Sequence, residues 1–392
     1  MLTNTQRRAS RRRSVVTTVA AGGALMLALS ACSNVATEAA PPAQDPTGDD
    51  AVLAPFVWDQ EGSEVPDLPN RISWANTSNA EFFLAFTRGM EEAANDRGVE
   101  FLTAIADDNP ERNVEQMESF LARGVGALMY QPLDMASQTP ILERALDEGI
   151  FVPGLISQPS TLQIAASQYD VGFLQGKAAA DWAVENLDGQ AKVLYFNLDT
   201  IGPQLILRHE GVLDGLATGG DGIEVVSDIT TGISTEEGFE VMSTVLQANP
   251  DINIVLGGDT LVLGALRALE QSGRDLSDVY LSGVDGDSQA LEEVKKGGAF
   301  KASIAFAWQL MGYGIGQFSS DWLEGKEVPR VMVAAPTLVN SPALVDEFLE
   351  VNANPSVVFE DRERFETYLP LLGQVSYETR DTVWRTEYVP GS

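Results

Sequence analysis

The 392 residues contain one cysteine and one histidine. A lone cysteine cannot close an intramolecular disulfide, so the fold must be held by apolar burial, for which a chain of this length has ample material. The same scarcity argues against a His/Cys metal site and against a Ser-His or Cys-His nucleophile, and nothing in the chain asks for a cofactor. Basic residues are also few. Against 57 Asp and Glu there are 25 Lys and Arg, a formal charge of −32, and such a field excludes nucleic acid as a partner. The uncharged stretch from Val15 to Leu29 is too short, and too rich in Gly and Ala, for a membrane span.

What that stretch does fit is the apolar region of an export signal, because Arg7, Arg8, Arg11, Arg12 and Arg13 precede it and small residues follow it. Leu29-Ser30-Ala31-Cys32 resembles the lipobox of bacterial lipoproteins, which makes Cys32 the expected lipid attachment point and residues 1–31 the signal. Residues 32–69 are rich in Ala, Pro, Asp and Thr, bury little and read as a flexible tether. Phe56 and Trp58 interrupt it and are expected to dock on the folded part.

From Arg71 onward short β-branched runs alternate with amphipathic helical windows, the pattern of repeated βα units around a parallel sheet. Strands are expected at 72–76, 100–105, 127–130 and 151–156, then in a second series at 193–197, 223–229, 252–256, 280–284 and 301–305. Glu81 to Arg97 has apolar residues at helical spacing and a glycine stop at Gly98; Asn109-Pro110 opens the next helix; Ser234 and Glu237 have capping-box spacing. Two similar α/β lobes follow. In such sheets ligands lie at the carboxyl ends of the strands, and the cleft between two lobes is the default site.

Three segments resemble a known family: Arg123-Gly124-Val125-Gly126-Ala127-Leu128 with Gln131-Pro132, Gly257-Gly258-Asp259 followed by Leu263-Gly264-Ala265-Leu266-Arg267-Ala268-Leu269, and Ser282-Gly283-Val284-Asp285-Gly286. They are similar to the type 1 periplasmic binding proteins, in the ribose-binding-like branch that serves sugar ABC importers. The resemblance implies three crossovers, near Ser167-Gln168, Phe306-Ala307 and Ala335-Pro336. An N-terminal lobe then comprises 70–167 with 307–335, a C-terminal lobe 168–306 with 336–345, and 346–392 form an extension whose Phe365, Tyr368, Tyr377 and Trp384 suggest packing on the lobes. It also implies a monomer that binds a carbohydrate or polyol, docks on a permease and catalyses nothing. A sensor that reports its ligand to a membrane receptor has the same fold, and a surface carbohydrate-active enzyme using an Asp/Glu pair is the rival from another class.

A neutral polyhydroxylated ligand needs charged or amide groups for its hydroxyls and an aromatic face for its C–H side. Arg208, in Arg208-His209-Glu210-Gly211, is similar to the family's Arg-x-x-Gly, and Asp285 ends an apolar strand where a carboxylate can accept from two hydroxyls. Phe82 and Phe83 match the family's aromatic pair. Asn76, Asn79, Gln131 and Trp308 stand in loops or at element ends facing the expected cleft; Asp259 reads as the N-cap of the helix from Leu261. Where ribose and galactose binders commonly carry Asp-Arg, an asparagine and a polar crossover residue, this chain has Ile156-Ser157, Gly258 and Phe306. Ser157 joins the candidate ligand contacts, and the pocket should be less polar than an aldose site.

Overall fold

The computed structural model describes residues 53–62, 64–156, 158–200 and 203–382. Cys32, Ser157 and Trp384 lie outside them. In the first series β1 (Arg71–Asn76), α1 (Glu81–Arg97), β2 (Glu100–Ile105), α2 (Pro110–Ala122), β3 (Ala127–Tyr130), α3 (Met135–Asp147), β4 (Pro153–Leu155) and β5 (Leu162–Ala165) follow one another. The second runs α4 (Gln168–Asn186), β6 (Ala191–Asn197), α5 (Pro203–Ala217), β7 (Ile223–Thr230), α6 (Thr235–Ala248), β8 (Ile254–Leu256), α7 (Asp259–Gln271), β9 (Tyr280–Asp285), α8 (Ser288–Lys296) and β10 (Phe300–Ala305). The chain ends with α9 (Trp308–Leu323), β11 (Val331–Val333), β12 (Thr337–Val339), α10 (Pro342–Ala353), α11 (Pro355–Glu360), α12 (Arg362–Tyr368) and β13 (Leu371–Leu372).

The local signals act as the sequence suggests. Gly98 takes the left-handed conformation, φ 64°, that ends α1, and Asn109 accepts from the backbone N–H of Arg112 at 2.9 Å to cap α2. At α6 Ser234 Oγ accepts from Glu237 N, but the Glu237 carboxylate reaches Gly232 N at 2.9 Å instead of closing the box on Ser234. Strands such as β3 are buried on both faces, as covered parallel strands must be.

Two sheets result. One has the order β13-β11-β5-β4-β3-β1-β2, the other β12-β10-β9-β8-β6-β7, with the strands paired in parallel except β11 with β13 and β10 with β12. The chain passes between the sheets after β5, after β10 and after β11. It also returns a fourth time, because β13 pairs antiparallel with β11 in the first sheet while β12 pairs with β10 in the second. The sequence reading does not anticipate this fourth passage, since a two-residue strand has no periodicity to detect. On the way α10 touches both lobes: Asp346 pairs with Lys295 of α8 at 2.6 Å, and Asn352 Oδ1 accepts from Gln309 N at the start of α9 at 3.1 Å.

Phe56 and Trp58 are held by the same returning segment. Phe56 N donates to Leu371 O at 3.0 Å, Trp58 Nε1 donates to Glu366 at 2.5 Å, and the Trp58 ring lies within 6 Å of Phe318, Phe359 and Phe365 with the Arg362 guanidinium 4.0 Å from its centroid. Aromatic packing and cation–π contact both stabilise this clasp. Because Trp58 is only half-buried, Trp58→Ala is expected to cost about 2 kcal/mol, less than the ~3–5 kcal/mol of a fully buried tryptophan. Urea unfolding measures it, and an unchanged midpoint would show that the clasp contributes nothing.

Candidate functional site

Helix contacts of unusual closeness set the site. On α4 and α5, Gly172 faces the carbonyl of Arg208 and Gly211 faces that of Tyr169, so near that a Cβ on either glycine would stand 1.9 or 2.2 Å from the oxygen. This approach brings Gln168, the first residue of α4, to Arg208 on α5: Oε1 accepts from Nε at 2.9 Å and from Nη2 at 2.6 Å. Among the described residues Nη1 has no hydrogen-bond partner, which leaves it for a ligand. α1 and α9 use the same device through Gly89 and Gly312, and there it sets the Phe82 ring 5.0 Å from Trp308.

Asp285, the last residue of β9, carries a backbone φ of +116°, which is costly for a side chain other than glycine. Asp259 pays for this strain. One carboxylate oxygen of Asp259, fully buried, accepts from Gly286 N and Asp287 N at 2.8 Å each and from Ser303 Oγ at 2.9 Å. The expectation that Asp259 caps the following helix is therefore corrected. α7 begins at Asp259 itself, Gly258 is its N-cap residue, and no side chain caps it. The backbone O of Asp285 accepts from Trp308 Nε1 at 3.2 Å, whereas its carboxylate accepts no hydrogen bond among the described residues.

The charged pair is enclosed by protein while keeping partly accessible surface toward the cleft. Burial pushes the Asp285 carboxyl up to about 7, with Arg208 acting in the opposite direction, and burial lowers Arg208 while Asp285 works to raise it. A recess of about 230 Å³ opens at Asp285, lined also by Phe82, Phe306 and Trp308 and by Phe348 and Asn352 of α10; Arg208 is not part of its wall. Across it Ser288 Oγ donates to Glu81 at 3.1 Å, linking the lobes. Behind Arg208, Gln175, Tyr195 and Gly258 surround a cavity of about 10 Å³, room for about one water.

The other candidates are placed as follows. Asn76 is buried at the end of β1, where Oδ1 accepts from Ser78 N at 3.1 Å and Nδ2 has no partner among the described residues. Gln131 accepts from Thr77 Oγ1 at 2.8 Å, and Asn79 is exposed. Phe83 turns into the lobe core beside Trp74, leaving Phe82 as the ring in the recess. Ile156 sits at φ +69°, an outlying conformation for a β-branched residue, and is 37% exposed. Sequence reasoning missed Gln168 as Arg208's partner and Gln175, whose Nε2 donates to the carbonyls of Gly257 and Ser282 at 3.0 and 2.8 Å. Their signal was available: two glutamines one heptad apart on the same face of α4 as Val171 and Ala179. Among the described residues no cluster of His, Cys, Asp and Glu could hold a metal ion.

Comparison with known proteins gives the context of this geometry. The family described as periplasmic binding protein domain matches residues 71–327. The chain belongs to that family. Periplasmic binding proteins of this kind are substrate-binding components of ABC transporters and not enzymes. The chain is 28% identical over 271 residues to the ribose import binding protein of Bacillus subtilis strain 168, covering 66% of this chain and 83% of that protein. It is 24% identical over 314 residues to the xylitol-binding protein of Mycolicibacterium smegmatis, covering 80% and 86%. The solute-binding protein of Bacillus halodurans solved with myo-inositol superposes with a TM-score of 0.61 at 23% identity, covering 72% of this chain and 98% of that one. No helix of the described residues is long and apolar enough to cross a membrane.

Proposed function

We propose that this periplasmic binding protein takes a small carbohydrate or sugar alcohol into the interlobe recess and delivers it to an ABC importer permease. The observation that carries the reading is the Asp285 carboxylate, which accepts no hydrogen bond among the described residues and lines a recess walled by the rings of Phe82 and Trp308; Arg208, whose charge acts on it, lines the small neighbouring cavity. Hydroxyls supply what both charged groups lack, and the C–H face of a polyol suits an aromatic wall. Ligand contacts from both lobes shift the open-closed equilibrium toward the closed form. The relatives that bind ribose and xylitol support the class.

The preference within that class follows from Ile156, Gly258 and Phe306. An added Cβ at Gly258 meets nothing within 4 Å, so the amide that aldose binders place there is absent and its space is open. Phe306 is buried beside Trp308. A hydroxyl buried without a partner costs about 1–3 kcal/mol, so a less hydroxylated or acyclic four- or five-carbon polyol is the expected ligand. Calorimetric titrations of ribose, glucose, galactose, erythritol, threitol, xylitol and arabitol side by side test this. Micromolar binding of glucose or ribose with no response to any polyol overturns it.

The protein works as a monomer held at the outer face of the cell membrane through Cys32 in this reading. Cys32→Ser is expected to move it out of the membrane fraction or leave it as an unprocessed precursor. A mutant that is processed normally and still partitions into detergent excludes the lipid anchor.

A further inference from the structure

The chain's single histidine lies next to Arg208, between two carboxylates. Nδ1 of His209 is 2.9 Å from Asp199 Oδ2, in the loop after β6, and Nε2 is 2.8 Å from Asp228 Oδ2 on β7. The first is a hydrogen bond; the second is an ion-pair approach without good alignment. Asn197 Nδ2 fixes Asp228 from the other side at 2.6 Å. A neutral imidazole has one N–H, so a ring with carboxylates at both nitrogens is satisfied only when doubly protonated. The Tyr195 ring covers its face at 5.1 Å.

We infer that His209, as an imidazolium clamped between Asp199 and Asp228, is the positioning residue that ties the second turn of α5 to the ends of β6 and β7 and so aims Arg208 into the cleft, making ligand affinity proton-linked. The groups facing the cluster are Asp199 from the loop after β6, Asp228 from β7, Tyr195 from β6, and Arg208 on α5 with Asp285 opposite it from β9. Burial alone would lower the histidine, but the hydrogen bond to Asp199 and the charge of Asp228 more than reverse this and raise it. Tyr195 is held neutral by burial. With a raised value, the clamp is intact below the histidine's titration and is lost as pH rises through it. The change is local to the turn that carries Arg208.

Only one histidine exists in the chain, so its Hε1 resonance titrates without ambiguity. In the full mature protein without ligand, the midpoint is expected above the ordinary value of about 6.5, and lower in Asp199→Asn and Asp228→Asn. The Arg208 Nε–H resonance, assigned by its loss in Arg208→Lys, should show a step with the same midpoint that persists in Asp285→Asn and is absent from His209→Gln. A midpoint at or below the ordinary value, or an Arg208 signal blind to the histidine's titration, overturns the inference. The binding arm rests on the carbohydrate reading and uses ribose, xylitol and myo-inositol as probes. Relative to His209→Gln at each pH, in which the opposite effect of Asp285 cancels, the best binder should weaken about tenfold across the histidine's titration, the equivalent of one charge-assisted hydrogen bond, and His209→Gln should be weak with no such limb. An identical limb in His209→Gln also overturns the inference. If none of the three probes binds, the carbohydrate reading fails, and the two resonances still decide the clamp.

Discussion

Asp285→Asn is expected to weaken xylitol or the best-bound relative by at least tenfold without unfolding the protein. Among the described residues the carboxylate accepts no hydrogen bond, so on the proposed reading it can accept from two ligand hydroxyls. Hydrogen bonds to a charged group contribute about 1.5–3 kcal/mol each, and 1.4 kcal/mol is a factor of ten. Asparagine keeps the size but loses the charge and turns one acceptor into a donor. The pH behaviour separates this from a packing defect. Burial holds the Asp285 carboxyl up at about 7, so at pH 5.5 the wild-type site carries a neutral acid, and the ratio of wild-type to Asp285→Asn affinity, in which the opposite effect of His209 cancels, is expected to rise as pH climbs through 7. Stability runs the other way. Between the ordinary carboxylate range and about 7 the unfolded chain releases this proton while the folded one retains it, so this group's contribution falls as pH rises across that window and is flat above it. The mutant without ligand should therefore melt higher than wild type at pH 8. Calorimetry and thermal melts at pH 5.5 and 8 check both signs; native affinity in the mutant removes Asp285 from the site.

Gly211→Ala and Gly172→Ala are each expected to lower both stability and affinity, because the methyl group has nowhere to go except by parting α4 from α5. The oxygens that it meets belong to backbone, which cannot rotate aside as a side-chain end would. Overpacking of this kind costs about 1–3 kcal/mol, and each kcal/mol lowers the melting temperature by about 2–4 °C in domains of 150–250 residues. Arg208 rides on α5 and Gln168 on α4, so a shift of about 1 Å breaks the bidentate contact and releases the guanidinium from its ligand-ready pose, which binding tolerates poorly. Gly298→Ala, where an added Cβ meets nothing within 4 Å, serves as the neutral control. Equal melting of all three proteins would show that the helix pair relaxes without loss.

The two lobes were legible in the sequence because buried parallel strands write long apolar runs and glycines punctuate them. Asp285 was legible as a charged residue at the end of a strand, whereas Arg208 stands in the second turn of α5, inside the helix. What stayed hidden depends on contacts between segments distant in sequence. That Asp259 braces the turn after Asp285 cannot be seen from its position before a helix, where capping explains it equally well. Phe82 and Phe83 share one pattern, and only the packing against Trp74 tells which ring turns inward. The pairing of Gln168 with Arg208 needs two helices brought together by glycines, and glycine spacing alone does not name the partner.

The returning strand β13 bears on how the protein acquires its shape. The first sheet is finished only by residues near the end of the chain, and the clasp of Val57 with Gln374 joins residues 317 apart in sequence. Until that segment arrives, β11 is an open edge, free to pair with a strand of another molecule. Contacts of such separation close slowly. Closing the β11 edge therefore waits for residues 371–372, and a chain truncated before residue 371 is expected to carry an unguarded edge prone to aggregation.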